Sequence, residues 1–301
     1  MYDCIIIGAG PAGVSAGIYA ERAGLKTLVL EKLFVGGQVV NTQEVENYPG
    51  FGLIGGAELV MKMEAHLKSF NLDFKREEVL ELFLEEPIKK VRTRKNLYEG
   101  KTIIIATGAS PRYLNIPGEE KYRGRGVSYC GTCDGALYRD KVVAVVGGGN
   151  TALEDAIFLS RMCSLVHLIH RRDEFRANKG IVKKLSEIEN LVIHYDSIVE
   201  EIKGSQTTEE ILIKSVKTQE ISSLQIQCLF IAIGQIPANT LVNKLILDPG
   251  GYIITDDNME TIIKGVFAAG DNRANILKQI VTAAGEGALA AYSASLYLAG
   301  L

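Results

Sequence analysis

One glycine-rich turn, used twice, narrows the fold of this chain more than any other feature. In its first use, an apolar strand over residues 2–7 runs into Gly8-Ala9-Gly10-Pro11-Ala12-Gly13, and a helix follows to about Ala23. This is G-x-G-x-x-G in the strand, turn and helix context that gives it meaning. Gly8 makes the tight turn, Gly10 lets the backbone approach a pyrophosphate, and Gly13 allows the helix to pack close to the strand. The helix start then presents unpaired amides and the positive end of a dipole to an anion. By itself the hexapeptide could be an incidental turn. However, the next strand, residues 25–30, ends at Glu31, the spacing expected of an acidic residue that binds ribose hydroxyls.

The second use begins with a strand over residues 141–146, continues through Gly147-Gly148-Gly149-Asn150-Thr151-Ala152, and enters a helix over 151–162. Ala152 in the last position is permitted by the fingerprint. Residues 4–20 thus parallel 143–159, and each copy has a later strand ending in glycine, 103–108 in the first and 229–234 in the second. The repeat predicts an α/β chain with two Rossmann-like, three-layer nucleotide-binding domains, and 301 residues are enough for two cores. The copies differ where a ribose would be read. After its second strand, residues 165–169, the second copy carries His170-Arg171-Arg172 and then Arg176. Guanidinium groups pair with a 2'-phosphate that a carboxylate would repel. Arginines after a strand are commonly just solvated, but at this spacing from a glycine turn the phosphate reading is favoured.

Between the two motifs stands Cys130-Gly131-Thr132-Cys133-Asp134. Thiols two residues apart can close and reopen as a disulfide with little backbone movement, and a neighbouring carboxyl can handle the protons. The plainer alternative is an incidental buried pair with an ordinary acidic residue at a helix start. Of five cysteines, Cys4, Cys163 and Cys228 lie in apolar runs and read as core residues. The four histidines have no zinc-like spacing to them, so no metal site is expected. A net charge of −3 disfavours a nucleic-acid binder. The start of the chain shows no cationic segment or cleavage site, and the apolar stretch 283–301 carries Glu286 and many small residues, which suits a buried helix. A cytoplasmic protein away from membranes is expected.

The remaining signals are local. Gly36-Gly37-Gln38 and Glu46-Asn47-Tyr48-Pro49-Gly50 read as turns, a helix is expected over 56–70, and 78–105 alternates as short strands. Residues 265–269 form a strand leading to Gly270-Asp271, and a helix runs from Gln279 onward.

In their order, Gly8 to Gly13, Gly36-Gly37-Gln38, Cys130 to Asp134, Gly147 to Ala152, His170 to Arg176 and Gly270-Asp271 resemble the bacterial-type, low-molecular-weight thioredoxin reductases over the whole chain. The resemblance implies an FAD domain made of residues 1–113 and 240–301, with an NADPH domain, 114–239, inserted in it and carrying the dithiol. It implies that Gly8, Gly10, Pro11, Ala12, Gly13, Glu31, Gly37, Gln38 and Asn47 line the FAD. Gly270 and Asp271 would bind its ribityl or pyrophosphate portion, and Lys278 and Gln279 would bring a helix start to the flavin ring. NADPH would meet Gly147, Gly149, Asn150, Thr151, His170, Arg171, Arg172 and Arg176. Electrons would pass from NADPH through FAD to Cys130 and Cys133, with Cys133 facing the flavin, Cys130 attacking thioredoxin, and Asp134 acting as acid and base. A homodimer is also implied, as is a rotation between domains at links near Pro111, Pro117 and residues 235–239.

Three positions depart from the family pattern. Gly131 stands where alanine is usual, Lys278 where arginine is usual, and Leu33-Phe34-Val35 is more apolar than the usual loop. Other readings remain beside the principal one: a reductase or oxidase of a small disulfide metabolite or of another thioredoxin-like protein, a flavin-containing redox sensor, and a ferredoxin-linked reductase. Members of the last type lack the dithiol.

Overall fold

The computed structural model describes residues 1–300 except positions 43, 86, 243, 244 and 246. Those positions and residue 301, which closes the expected FAD segment, lie outside the described residues. The chain divides into two compact units, one made of 1–110 with 236–301 and the other of 111–235.

In the first unit, strand Tyr2–Ile7 lies between Thr27–Glu31 and Leu97–Ile105 and is parallel to both, so that Ile6 is opposite Val29 on one side and Ile104 on the other. Asp73–Arg76 extends the sheet beyond Thr27–Glu31, and Val266–Ala268 pairs with Leu97–Ile105. Tyr2–Ile7, Thr27–Glu31 and Val266–Ala268 are apolar at most positions because the middle of the sheet is covered on both faces, whereas the edge strand Asp73–Arg76 is polar and mostly exposed. Cys4, Ile6, Val29 and Ile104 pack under helices Pro11–Arg22 and Ile280–Ala299, whereas Ile5, Ile7, Leu28, Leu30, Ile103 and Ile105 fill the opposite face. The two helices are very close. A Cβ on Gly287 would sit 2.0 Å from the Ala12 carbonyl oxygen, which accounts for the small residues of the last helix. Residues 78–105 resolve into the antiparallel strands Val79–Phe83, Lys89–Thr93 and Leu97–Ile105. The helix expected over 56–70 spans Gly56–Lys68.

The second unit repeats the arrangement. Val142–Val146 lies between Leu165–Ile169 and Cys228–Ile231, again parallel to both, with Leu191–His194 and Val127–Ser128 at the two edges. Helices Asn150–Ser160 and Lys179–Leu185 cover one face through Leu153, Ala156, Leu159 and Leu185. Unlike the sequence reading, which places nothing there, residues 197–225 form a three-stranded antiparallel sheet that covers the other face through Ile202, Ile211 and Ile213. Cys163 and Cys228 are buried in this unit. Short strands Ala109–Pro111 and Gln235–Pro237 pair where the chain leaves the first unit and returns. Among the described residues no helix is long and apolar enough to cross a membrane.

Candidate active site

The first glycine turn is built by contact. Gly8 has φ +101°, and a Cβ there would lie 2.3 Å from the Ala106 carbonyl oxygen; a Cβ on Gly13 would lie 1.9 Å from the carbonyl oxygen of Gly8. Gly10 is different, since a Cβ on it would meet nothing within 4 Å. Gly10 is also the N-cap of the helix whose first residues are Pro11 and Ala12, and no side chain among the described residues caps it. The amide end therefore faces open space, as an anion site requires. At the end of its strand Glu31 accepts from the N–H of Ala9 and of Leu33, both at 2.9 Å. Gly36 donates its N–H to Ala9 O, and a Cβ on Gly37 would stand 3.4 Å from Gly10 Cα, so the second glycine pair lies against the first turn. Gln38 accepts from Asn41 at the surface.

Distant segments meet beside this turn. Asn47 Nδ2 donates to Gln279 Oε1 at 3.1 Å, across 232 positions of sequence. Gln279 caps the last helix reciprocally with Thr282. Gly270, with φ +86°, brings its Cα alongside Ala12, where a Cβ would be 3.0 Å from the Ala12 Cβ. Next to it, Asp271 Oδ1 is buried with no hydrogen-bond partner among the described residues. Burial pushes this carboxyl above the usual carboxylate range, and the charge of Lys278 pulls it back. A carboxylate oxygen held in this way beside a glycine turn fits a ligand that brings hydroxyl groups.

The second turn has the same logic with different neighbours. A Cβ on Gly147 would be 2.3 Å from the Ala232 carbonyl oxygen, yet one on Gly149 would meet nothing within 4 Å. Gly149 is the N-cap of the helix that opens with Asn150 and Thr151. Asn150 Oδ1 accepts from the N–H of Asn178, and Arg176 donates its N–H to Gly148 O, so the 170–178 loop is tied to the turn. His170 is turned inward. Its ring is buried, stacks on Phe175 with centroids 5.0 Å apart, and bonds the Glu174 carbonyl. Arg171, Arg172 and Arg176 are exposed.

The dithiol closes as a disulfide, with Cα atoms 5.3 Å apart. Cys130 is the N-cap of the helical turn Gly131–Asp134, and its sulfur accepts from the Cys133 N–H. Ser128 Oγ donates to Asp134 Oδ2 at 2.6 Å and accepts from the Cys130 N–H at 3.1 Å. Burial raises the Asp134 carboxyl above its ordinary value, and the Ser128 bond acts the other way. A buried acid is thereby fixed one residue from a sulfur, in reach of the proton changes that accompany disulfide opening.

A family model for pyridine nucleotide-disulphide oxidoreductases matches residues 2–287. A thioredoxin reductase of Peptoclostridium litorale is 42% identical over 306 residues, covering 99% of this chain and 97% of its own. That of Bacillus subtilis (strain 168) is 41% identical over 301 residues, covering 99% and 95%. The crystal structure of the enzyme from Streptococcus pyogenes MGAS5005 superposes with a TM-score of 0.95 at 44% identity, covering 100% of this chain and 99% of that one. This chain belongs to the thioredoxin reductase family. It is a flavoprotein oxidoreductase of the α/β nucleotide-binding class that uses FAD and NADPH.

Two of the three departures from the thioredoxin reductase pattern have a structural setting. Lys278 is half-buried, bonds the Arg273 carbonyl at 3.1 Å, and lies 4.2 Å from the centroid of the Tyr252 ring. Burial pushes its ammonium below the usual lysine range. Gly131 is buried against Asp155, where a Cβ would be 2.6 Å from the Asp155 Cγ. In the third, Leu33 and Phe34 are exposed and Val35 is buried.

Several supports of the site have no motif to betray them. Ser128 holds Asp134. Glu286 takes the Arg273 guanidinium at 2.7 Å, the Gly270 N–H at 2.7 Å and Asn275 at 3.1 Å, and so fixes the loop before the last helix. Asn272, fully buried, donates to the Ile105 carbonyl and to Thr107. The only sequence signal for Glu286 is a carboxylate in an otherwise apolar helix.

Proposed function

We propose that the chain takes electrons from NADPH, passes them through FAD to the Cys130–Cys133 disulfide, and delivers them to the disulfide of thioredoxin. The observation that carries this reading is the closed disulfide on a helical turn with a buried, Ser128-bonded Asp134 beside it. Bound FAD supplies the link between a hydride donor and attack at sulfur.

The first unit holds FAD. The amide end at Gly10 to Gly13 receives the pyrophosphate, Glu31 the ribose hydroxyls, and Asp271 a hydroxyl-bearing part, with Gly37, Gln38, Asn47, Gly270, Lys278 and Gln279 completing the wall. Domain limits of 1–113 with 240–301, and of 114–239, serve this assignment. The second unit holds NADPH at Gly147, Gly149, Asn150 and Thr151. Arg171, Arg172 and Arg176 pair with the 2'-phosphate, and His170, packed on Gly148, sets the loop that carries them. Once the disulfide is open, the Cys130 thiolate attacks one sulfur of thioredoxin and forms a mixed disulfide, and the sulfur expelled takes a proton. Cys133 then attacks Cys130 Sγ, which reforms the Cys130–Cys133 bond and frees reduced thioredoxin. Asp134 gives and takes the protons. The family resemblance also supports a cytoplasmic homodimer, checked by sedimentation equilibrium of the holoenzyme and by cell fractionation.

The test is Cys133→Ser. It should abolish disulfide turnover yet leave NADPH-dependent reduction of an artificial electron acceptor, because the steps before the dithiol remain. Loss of both activities in a folded, FAD-loaded variant would show that this order of electron flow is wrong.

A further inference from the structure

The turn between the two cysteines rests on a second carboxylate that the pathway above does not use. Asp155 lies five residues into the helix that starts at the second glycine turn, and it is 7% exposed. Its carboxylate packs against the Gly131 backbone, which favours the ionised form. The fit leaves no room for a side chain at 131, since a Cβ there would lie 2.6 Å from Asp155 Cγ, 2.7 Å from Oδ1 and 2.9 Å from Cβ. The glycine that departs from the family pattern is therefore the residue that lets this carboxylate reach the dithiol turn.

Gly131 is the first residue of the turn, and Cys130 is its N-cap. The amides of such a start would otherwise stabilise a thiolate at the N-cap sulfur. A carboxylate packed against Gly131 competes for that first amide and places a like charge one residue from the N-cap cysteine. We propose that Asp155 is a positioning residue for the redox pair: it fixes the Gly131 amide from beneath the turn, and its charge restrains thiolate formation at Cys130. This rests on the reading of Cys130 and Cys133 as the redox couple and adds the group that sets their acid–base poise.

Burial pushes the Asp155 carboxyl up to about 6, and the Gly131 backbone opposes that rise. The group is thus mostly ionised at neutral pH and mostly protonated at pH 5. Glu154 on the same helix raises it further. The dithiol segment contributes Asp134, Tyr138 and the two cysteines. From the strands beneath, Val143, Val145, Val166 and Leu168 are apolar, and in helix Lys179–Leu185 the lysines Lys179, Lys183 and Lys184 are exposed.

The experiment reads the Cys130 thiolate directly. Holoenzyme reduced by NADPH under argon is treated with iodoacetamide from pH 5 to 9, and alkylation of Cys130 is followed by peptide mass spectrometry. A nearby charge of like sign is worth on the order of tenfold in a proton equilibrium. A thiolate of lower pKa is also a weaker nucleophile, so Asp155→Asn should alkylate about threefold faster than the parent at pH 7. It should also lose the inflection near pH 6, and Asp155→Glu should restore it. Gly131→Ala, which displaces the carboxylate, should speed alkylation as well, and should add nothing in an Asp155→Asn background. Coincident pH profiles for the parent and Asp155→Asn would overturn the proposal. If Asp155→Asn does not fold with FAD, an unchanged profile in Gly131→Ala would overturn it equally. The assay contains no thioredoxin, so an error in the protein substrate leaves it intact. Failure of NADPH to open the disulfide at all would instead count against the electron path.

Discussion

Gly10 and Gly13 are three residues apart in one loop, and the structure gives their alanine variants different outcomes. At Gly13 a Cβ would sit 1.9 Å from a backbone oxygen, whereas real Cβ contacts stop at 3.0 Å, so the helix start must retreat by 1.1 Å. The obstacle is the Gly8 carbonyl, a backbone group in a turn where a Cβ on Gly8 would itself meet the Ala106 carbonyl, and no flexible side chain can yield. Overpacking of this kind costs about 1–3 kcal/mol of stability. The same retreat withdraws the helix amides from the pyrophosphate. Loss of one or two hydrogen bonds to a charged group, ~1.5–3 kcal/mol each, corresponds to roughly 10- to 10,000-fold in the FAD dissociation constant. At Gly10 a Cβ meets only open space, so Gly10→Ala should keep the parental melting temperature as apoprotein and lose FAD affinity alone. The assay is reconstitution of apoprotein, with FAD binding followed by flavin fluorescence quenching and stability by thermal melting. Parental FAD affinity in a folded Gly10→Ala variant would refute the placement of the pyrophosphate at this turn.

Three further outcomes follow from the structure. Arg171→Ala combined with Arg172→Ala should raise the Michaelis constant for NADPH roughly 10- to 100-fold and that for NADH little; equal effects on both would mean that the arginines do not read the 2'-phosphate. Glu286→Gln removes the carboxylate that binds Arg273 in a partly buried pair, 13% and 14% exposed, and should cost about 3 kcal/mol in chemical denaturation. His167 and His194 bond each other at 3.0 Å, and burial lowers both below the ordinary 6.5. The unfolded chain therefore takes up their protons first as pH falls, so their stability is present above about 6.5 and is lost in acid. The raised carboxyls Asp134, Asp155 and Asp271 act in the opposite sense. The histidine share is isolated by His167→Gln, which should show a smaller fall in melting temperature between pH 7 and pH 5.5 than the parent.

What could be read from sequence was whatever is carried by neighbours along the chain. Each glycine turn announces itself because strand, turn and helix are contiguous, and the two cysteines fall on one helical turn. The continuous apolar run of residues 4–7 signals a strand covered on both faces, and the structure covers it. Residues whose roles come from packing carried no such mark. Ser128 is two residues before a cysteine in a short edge strand, Asn272 is one polar residue in a loop, and Asp155 lies among ordinary helix residues. Their partners are Asp134, Ile105 and Gly131, and only the three-dimensional fold brings them together. The sheet over 197–225 leaves little mark in the sequence for a related reason. Its burial alternates only in the middle strand, Glu210–Ser215, and the edge strand Ile221–Gln225 is almost wholly exposed.

The most direct test of the electron path is anaerobic titration of the holoenzyme with NADPH, followed by addition of oxidised thioredoxin, with the flavin absorbance as readout. NADPH should bleach the flavin, and oxidised thioredoxin should restore its absorbance. Bleaching without recovery would contradict thioredoxin as the acceptor, and absence of bleaching would contradict the path from its first step.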